Sequence, residues 1–291
     1  RVLLMKSQLI QRVTDVNSSL ALQNYSADYF LKVWHYHPEL ELNVIHESTG
    51  TAFVGDSIER FEPGDVVLVG KNLPHLWLND EIYFEKNANL TTRAQIIHFL
   101  DNFAGGLFNI PEMAEINKLI NRAKLGIKFS GTGNRAIAEK ISTLINCSGY
   151  ERIMLFIEVL KLLSAHKKFK VLSSLGYTES LTGIDKDRLR PVYEYVINNF
   201  KYDIKLDKVA ALANMNASSF SRYFTSIHRK TFTRFLNEIR IGCACKLLID
   251  NCHVAGACYE SGFNNISNFN RQFKSIKKIT PSDYIRLHSM V

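Results

Sequence analysis

Two short segments in the last third of the chain carry side chains that form hydrogen bonds with nucleic-acid bases and phosphates. Residues 219–224 read Ser-Phe-Ser-Arg-Tyr-Phe and residues 268–273 read Asn-Phe-Asn-Arg-Gln-Phe, so Phe, Arg and Phe recur at an offset of 49 positions. Apolar residues follow helical spacing in each copy, which predicts one packed face and one exposed face. Ser, Asn and Arg on an exposed helix face suit the major groove of DNA. The sequence therefore predicts two duplicated reading helices.

The exposed faces of these helices supply the candidate DNA-binding residues. They are Ser218, Ser221, Arg222 and Thr225 in the first copy, and Ser267, Asn268, Asn270, Arg271 and Lys274 in the second. Because hydroxyls dominate the first face and amides the second, the two helices should read different half-sites. We therefore expect each subunit to occupy an asymmetric, direct-repeat-like DNA site rather than a palindrome.

The distribution of charge supports the same interpretation. Residues 185–291 hold 17 of the 36 Lys and Arg and 9 of the 28 Asp and Glu, while the first 184 residues are balanced at 19 and 19. The net charge of +8 thus lies around the predicted reading helices. Such a local excess attracts a polyanion with an affinity that falls steeply as salt rises. A surface charge that only aids solubility is the alternative, and this location makes it the weaker one.

The hydrophobic pattern changes period along the chain, which predicts a multi-domain α+β protein. Residues 1–105 contain short β-like runs between turn signals, typical of a small sandwich or barrel. Residues 106–172 predict a helical connector, residues 173–184 a linker, and residues 185–291 two helix-turn-helix units joined by a long helix. The predicted strands cover residues 30–37, 40–45, 50–53, 66–69, 75–78 and 94–100, and the predicted helices cover 111–124, 134–146, 150–167, 187–199, 206–213, 217–228, 232–250, 254–261, 266–277 and 281–288.

The helix predicted at residues 150–167 has an apolar stripe wide enough for two packing neighbours. Its centre includes Ile153, Phe156, Leu160 and Leu163. One neighbour is the β domain, and the other is either a second subunit or more of the same core, alternatives that the pattern does not separate. We expect a homodimer in which residues 106–172 form the dimerisation region.

The cysteines and the hydropathy indicate a cytoplasmic protein. Five cysteines form an odd set without Cys-x-x-Cys spacing, and no signal-peptide pattern is present, so reduced thiols are expected. No stretch approaches the ~18 uncharged apolar residues that a membrane helix requires. We therefore expect no membrane partner.

Several stretches of the C-terminal part resemble the AraC/XylS family of bacterial transcription regulators. Residues 262–274 and 280–284 resemble the C-terminal signature of that family, and residues 206–224, 235–241 and 244–248 resemble its first unit and linker helix. The resemblance implies that the two units insert one helix each into adjacent major-groove segments of one promoter site. It also implies a regulator, most often an activator, that contacts RNA polymerase.

The chain departs from the family pattern at the residue that follows each reading helix. The family usually has Gly there, whereas this chain has Arg229 and Lys278. The position favours a left-handed backbone, so a residue other than Gly should cost up to ~1 kcal/mol. Both residues add positive charge near a helix end, which offsets part of the cost and suits a phosphate contact.

The N-terminal half resembles the cupin-type sensor domain that is common in this family. His35, His37 and Glu41 form a His-x-His-x-x-x-Glu element, and His75 begins a later His-x-x-x-Asn element. Strand alternation places His35 and His37 on one face, directed into a barrel. Together with His75 and Glu41 they suit a divalent transition metal such as Zn, Fe or Mn. A metal-free effector pocket is the alternative that we favour, because a sensor needs only to bind its ligand.

The two tryptophans near these histidines differ in expected direction. Trp77 shares a face with His75 and is the aromatic candidate for the effector pocket, where it suits stacking on a sugar ring. Trp34 alternates with His35 and is expected to face outward.

These observations favour a transcription regulator controlled by a small-molecule effector, with promoter DNA as its main partner and no obligatory cofactor. The alternative is a metal-dependent cupin enzyme with an appended nucleic-acid-binding domain, which would require stoichiometric metal at the histidine set. A purely architectural DNA-binding protein is disfavoured, because binding to the DNA backbone requires no ligand-binding half.

Overall fold

The computed structural model describes residues 18–31, 33–85, 89–180, 183–249 and 251–288. The chain divides into two compact units, of which the first ends at Thr178 and the second begins at Glu179. The first unit contains all the described strands, and the second is helical. The predicted order of a β-rich N-terminal region and a helical C-terminal region is thus confirmed.

The strands of the first unit form two antiparallel sheets. The described strands are β1 (Leu20–Ala27), β2 (Leu40–Glu47), β3 (Gly50–Val54), β4 (Ser57–Phe61), β5 (Val66–Val69), β6 (His75–Asn79), β7 (Thr92–Phe99), β8 (Ile127–Phe129) and β9 (Phe169–Val171). The larger sheet has the order β1-β7-β2-β5-β8-β9, and the smaller sheet has the order β4-β3-β6. Within the described residues, strand pairing does not close these sheets into one barrel.

Five differences from the predicted strands have identifiable causes. β1 and β4 are sheet-edge strands with largely half-buried or exposed residues, so they lack the apolar runs that mark a strand. β8 and β9 have three residues each, too few to show a period of two. The described residues of the range 30–37 do not form the predicted strand, since among them only His35 makes a bridge, an isolated one to His75.

Four described α-helices precede residue 181, and the last of them extends two residues beyond Thr178, where the first unit ends. They are α1 (Ala114–Ala123), α2 (Gly133–Ile145), α3 (Gly149–Ala165) and α4 (Leu175–Ser180), with short 3-10 helices at Glu81–Phe84, Leu107–Asn109 and Pro111–Met113. Phe156 and Leu160 of α3 are fully buried in the same core as Leu42 and Ile97 of the larger sheet. Residues 106–172 therefore share the core of the β region and add β8 and β9 to its sheet. The inner stripe of α3 packs within the chain, while Tyr150 on its outer side is 76% exposed.

The predicted linker is partly helical and docked onto the first unit. The Asp56 carboxylate accepts hydrogen bonds from the Ser173 hydroxyl at 2.9 Å, the Ser174 backbone N–H at 2.8 Å and the Ser174 hydroxyl at 2.8 Å. Ser174 Oγ also accepts from the backbone N–H of Tyr177, whose side chain is fully buried. The Ser-, Thr- and Gly-rich composition predicted a linker, because the residue that binds this segment, Asp56, is distant in sequence and no local pattern points to it. Residues 181–182 of the predicted linker lie outside the described residues.

The second unit consists of helices close to those predicted. They are α5 (Gly183–Asn199), α6 (Leu206–Leu212), α7 (Ala217–His228), α8 (Phe232–Ile249), α9 (Val254–Glu260), α10 (Ile266–Lys277) and α11 (Pro281–His288). Apart from α5, which begins earlier, these helices begin where the sequence predicted and end within one residue of the prediction. None of the helices in the described part of the chain is both long and apolar enough to span a lipid bilayer.

Candidate nucleic-acid interface and buried histidine cluster

The reading helices α7 and α10 begin with the same cap. The side-chain oxygen of Asn216 accepts a hydrogen bond from the backbone N–H of Ser219 at 2.8 Å, and Asn265 accepts from Asn268 at 2.9 Å. Each bond satisfies one of the backbone donors that the first turn of a helix leaves unpaired. Because the two caps are 49 residues apart, the repeat includes the helix starts as well as the reading faces.

The two helices also end alike. Arg229 (φ 53°) and Lys278 (φ 66°) adopt the left-handed conformation, and their backbone N–H groups donate to the carbonyls of Thr225 and Lys274. The prediction that a basic residue occupies a left-handed position after each helix is therefore confirmed. A β-carbon makes this conformation unfavourable, so both positions carry a modest energetic cost.

The inner faces of α7 and α10 pack on equivalent aromatic residues. Phe224 meets the ring of Phe235 at 5.4 Å, and Phe273 meets the ring of Tyr284 at 5.6 Å, both edge to face. Phe224 and Phe273 have no exposed surface. This aromatic packing fixes the rotation of each helix about its axis, and thereby decides which residues face solvent.

The predicted reading residues lie on the outer faces. Seven of them are exposed and two are half-buried: Ser218, Arg222, Thr225, Ser267, Asn270, Arg271 and Lys274 in the first group, and Ser221 and Asn268 in the second. A shallow surface depression is lined by Ser221, Arg222, Thr225, Ser226 and Arg229. Ser226 was not among the predicted residues, although it follows Thr225 and shares that depression.

The two exposed arginines have different neighbours on their own helices. Arg222 donates to the hydroxyl of Ser218 at 3.3 Å, whereas Arg271 donates to the side-chain carbonyl of Asn268 at 2.9 Å. The shorter bond orients the guanidinium of Arg271 more firmly in the absence of DNA. Both guanidinium groups keep donors for the bidentate contact that Arg makes with guanine.

The turn that precedes each reading helix differs by one residue. Asn214 (φ 56°) and Gly262 (φ 91°) hold equivalent left-handed positions 48 residues apart, whereas the caps Asn216 and Asn265 are 49 apart. Asn264 is therefore an additional residue in the turn of the second helix-turn-helix copy. The sequence pattern around the reading helices alone did not show this difference.

A second candidate site lies in the first unit, where five buried ionisable side chains form what we call the histidine cluster. Its members are His35, His37, Glu41, His75 and His98. One ligand atom from each of the first four lies within 4.8 Å of those from the others. All five side chains are 7% exposed or less. The structure thus brings together the four histidine and glutamate residues that the sequence singled out.

The carboxylate of Glu41 is at the centre of the histidine cluster. Its Oε2 lies 3.0 Å from His37 Nε2, 3.4 Å from His75 Nε2 and 2.8 Å from His98 Nε2. Burial alone would raise the pKa of Glu41, but the charge of His75 and hydrogen bonds from the three imidazoles hold it well below its ordinary value. Burial, reinforced by the neighbouring His75, lowers the pKa of His35 to about 3, so His35 is neutral at neutral pH.

The orientation of the imidazoles bears on what the histidine cluster can bind. Nδ1 of His35, His37 and His75 faces the backbone carbonyl of Val33, Glu39 and Leu73, at 2.9, 3.1 and 2.8 Å. A neutral imidazole that donates through Nδ1 presents a lone pair at Nε2. Because Nε2 of His37 and of His75 faces Glu41 Oε2, positive charge must lie between them, either as a proton on Nε2 that is donated to the carboxylate or as a cation that Nε2 and Oε2 both bind. The donor set therefore fits a divalent transition metal.

Trp77 and Trp34 lie in different positions from one another, and only one matches its prediction. Trp77 is buried, and its indole N–H points to Glu41 Oε1 at 3.4 Å, so it borders the histidine cluster. Trp34 was expected to face outward but is only 4% exposed. That prediction is wrong because residues 33–37 do not form a strand, so side chains do not alternate there.

His98 is the member of the histidine cluster that the sequence did not identify. It lies on β7 directly opposite Glu41 in the register of β2 with β7. Opposite residues in an antiparallel pair stand close together on the same face. The signal was therefore the register itself, which no motif around His98 reveals.

Comparison with known proteins agrees with the geometry of the second unit. Residues 209–287 match the family described as a helix-turn-helix domain. An uncharacterised HTH-type transcriptional regulator of Pseudoalteromonas carrageenovora is 34% identical over 95 residues, which are 33% of this chain and 57% of that relative. The HTH-type transcriptional activator RhaS of Mannheimia succiniciproducens is 23% identical over 257 residues, covering 86% of this chain and 87% of the relative.

Two solved structures of bacterial proteins have chains similar to this one. ToxT from Vibrio cholerae shows 14% identity and a TM-score of 0.37 over 94% of this chain and 99% of its own. A probable AraC family regulator from Rhodopseudomonas palustris shows 24% identity and a TM-score of 0.33 over 35% and 97%. Neither TM-score reaches 0.5, so the assignment depends on the domain match and the relatives. The C-terminal region is a helix-turn-helix domain of the AraC type, and the relatives are AraC- and RhaS-type regulators.

Proposed function

We propose that the protein is a sequence-specific, DNA-binding transcription regulator controlled by a small-molecule effector bound in its N-terminal unit. The observation that carries the proposal is the pair of identically capped helices α7 and α10, each presenting an Arg on its exposed face. The positive charge of residues 185–291 adds sequence-independent attraction to the phosphate backbone. Base contacts from the two helices supply the sequence preference.

We infer the direction of regulation from a relative that is similar over 86% of this chain. RhaS of Mannheimia succiniciproducens is named a transcriptional activator. We extend that role to this protein, together with a contact to RNA polymerase, a cytoplasmic location and a homodimer formed through the helical part of the first unit. The exposed outer side of α3 around Tyr150 and Met154 supports the last of these.

Selection of binding sites from random duplex DNA tests the DNA-binding role. The full-length chain should enrich one asymmetric sequence with two different half-sites. Titration of that duplex at several salt concentrations should give a linear fall of log affinity with log salt, with a slope of about −0.9 per neutralised phosphate. Equal enrichment of all sequences, or binding that survives deletion of residues 185–291, would contradict the proposal.

We assign the effector pocket to the histidine cluster and the adjoining Trp77. A cupin-like arrangement of the two sheets is part of this proposal. The Glu41 carboxylate and the groups that donate to it offer polar partners for a hydroxyl-rich ligand such as a sugar. Trp77 supplies one apolar surface beside them. Saturation-transfer NMR of the full-length protein against a panel of monosaccharides tests this assignment, with Trp77→Leu as the variant that should lose the signal.

A second candidate function, a metal-dependent cupin-type enzyme with an appended nucleic-acid-binding domain, is favoured by one observation. Four potential ligands converge within 4.8 Å in a buried site. Elemental analysis of protein purified without chelator distinguishes the two functions, because an enzyme requires about one metal ion per chain. His98→Ala should lower the metal content, whereas His46→Ala, at the exposed end of β2, should leave it unchanged. Metal-free protein that still binds its operator and still responds to its effector would exclude the enzyme.

A further inference from the structure

Around the middle of α8 the two helix-turn-helix units meet at a set of residues that we call the inter-unit contact. It consists of Arg240 on α8, the loop at residues 200–202 between α5 and α6, and Gly262 and Phe263 in the turn between α9 and α10. The loop belongs to the first helix-turn-helix copy, and the turn belongs to the second copy. Arg240 lies on the helix that joins them.

Arg240 binds both sides of the inter-unit contact. Its Nε donates to the carbonyl of Phe200 at 2.8 Å and its Nη2 donates to the carbonyl of Tyr202 at 2.9 Å. The guanidinium carbon lies 5.7 Å from the centre of the Phe263 ring, which is 4% exposed. A planar guanidinium with several fixed donors suits this combination of two carbonyls and one ring face, and a lysine does not.

The backbones of the two units are in direct contact beside Arg240. A β-carbon on Gly262 would lie 2.7 Å from the Phe200 carbonyl oxygen and 2.8 Å from Lys201 Cα. Gly262 also has a φ of 91°, which a residue with a side chain rarely adopts. The turn of the second helix-turn-helix copy therefore contacts the loop of the first copy directly, with no side chain between the two backbones. Arg240 donates to that same loop at Phe200 and Tyr202.

This contact, together with the hydrogen bond from Arg234 Nη1 on α8 to Ser275 Oγ on α10 at 2.7 Å, sets how α7 and α10 are placed relative to one another. The first helix-turn-helix copy packs on the N-terminal part of α8 through Phe232 and Phe235. The second copy packs on the C-terminal part of α8 through Ile241, Ala244 and Cys245. A contact at Arg240 joins the two at the midpoint. Two reading helices can occupy adjacent major-groove segments together only at one separation and one orientation.

We propose that Arg240 is a positioning residue that holds the two reading helices in the geometry required to bind both half-sites at once. The proposal rests on the proposed DNA-binding function. Once one helix is bound, a fixed second helix has a high effective concentration at its own half-site, and loss of the fixed geometry removes that advantage. In this assignment Arg240 acts through the carbonyls of Phe200 and Tyr202, to which it donates, and not through a contact with DNA.

The test compares three duplexes with full-length protein: the selected site, and the same site with either half-site scrambled. Arg240→Ala should weaken binding to the complete site by roughly 10-fold or more, since linked sites gain about 10²–10⁴ in affinity when both are engaged. Binding to each half-scrambled duplex should change less than about twofold. The variant should also tolerate an insertion of one or two base pairs between half-sites better than the wild type.

Two further variants separate positioning from other roles. Arg240→Lys keeps the charge but not the paired donors, and should fall between wild type and Arg240→Ala in its preference for the complete site. Arg286→Ala likewise removes one positive charge, here from an exposed arginine on α11, and should leave the ratio of complete-site to half-site affinity unchanged.

The outcomes are distinguishable. An unchanged ratio and an unchanged spacing preference in Arg240→Ala would overturn the positioning role. An equal loss on all three duplexes by a variant with native circular dichroism would also overturn it, and would show that Arg240 contacts DNA or supports one unit alone. Failure of the wild-type protein to prefer the complete site over either half would instead overturn the proposed function.

Discussion

The two helix-turn-helix units are alike in their framework and different in the parts that face outward. Each reading helix starts at an Asn cap, ends at a left-handed basic residue and presses a buried Phe against an aromatic ring of the following helix. The reading faces share a serine (Ser218 and Ser267) and an arginine (Arg222 and Arg271), but Asn270 stands where the first face has Ser221, and Lys274 where it has Thr225. Backbone hydrogen bonding and core packing restrict the first set of features, whereas only the DNA sequence restricts the second. The comparison therefore separates the residues that build a helix-turn-helix unit from those that select its target.

The largest expected effect tests whether the two cores are equivalent. Phe224→Ala and Phe273→Ala should each lower the free energy of unfolding by about 3–5 kcal/mol, because each leaves a cavity beside an edge-to-face ring partner. Chemical denaturation of the full chain, monitored by far-ultraviolet circular dichroism, measures the change. Phe→Leu at the same positions should cost clearly less. A cost below 1 kcal/mol at one position alone would show that the units do not share a core design.

The second prediction concerns the arginines shared by the reading faces. Arg222→Ala and Arg271→Ala should each weaken binding to the selected site by about 1–3 kcal/mol, and weaken binding to random DNA less. Competition binding with both duplexes measures the difference, and Arg286→Ala serves as the control for loss of charge. If either variant loses the same free energy on both duplexes, that arginine contacts phosphate rather than a base, and the two faces differ in kind.

The helix caps provide a smaller test. Asn216→Ala and Asn265→Ala should each cost about 1 kcal/mol of stability, because a backbone N–H in the first turn loses its acceptor. Replacement by Asp or Ser should restore most of it. Asn264→Ala is the matched control, since this exposed neighbour does not cap α10, and thermal unfolding should leave it within about 0.5 kcal/mol of wild type. Unequal losses at the two caps would limit the equivalence of the units to their cores.

The smallest effect is expected at the left-handed residues. Arg229→Gly and Lys278→Gly should each stabilise the protein by up to about 1 kcal/mol, because glycine adopts this conformation without steric cost. The same changes should make the slope of log affinity against log salt shallower by about one phosphate each, if the side chains neutralise phosphates. An unchanged slope would confine the two cations to the helix ends.

The helical unit was the more predictable part of the molecule because its determinants are local. Apolar spacing and cap residues mark α6 to α11 within a few neighbouring positions, and the left-handed sites at Arg229 and Lys278 follow from the end of each helix. In the first unit the decisive contacts join distant residues. His98 enters the histidine cluster through the register of two strands, and Ser173 and Ser174 are docked by Asp56 more than a hundred residues earlier. No local pattern carries such information, which also explains the wrong direction predicted for Trp34.

The single additional residue Asn264 has a consequence for engineering the chain. The turn that contains it also carries Gly262 against the Phe200 loop and a buried Phe263 beside Arg240, where the shorter turn of the first copy has Asn214 and Met215. A chimera with two first copies would retain both reading helices but lose the surface on which the copies meet. The duplicated units are consequently not interchangeable modules, and swapping reading faces between them requires leaving each turn where it is.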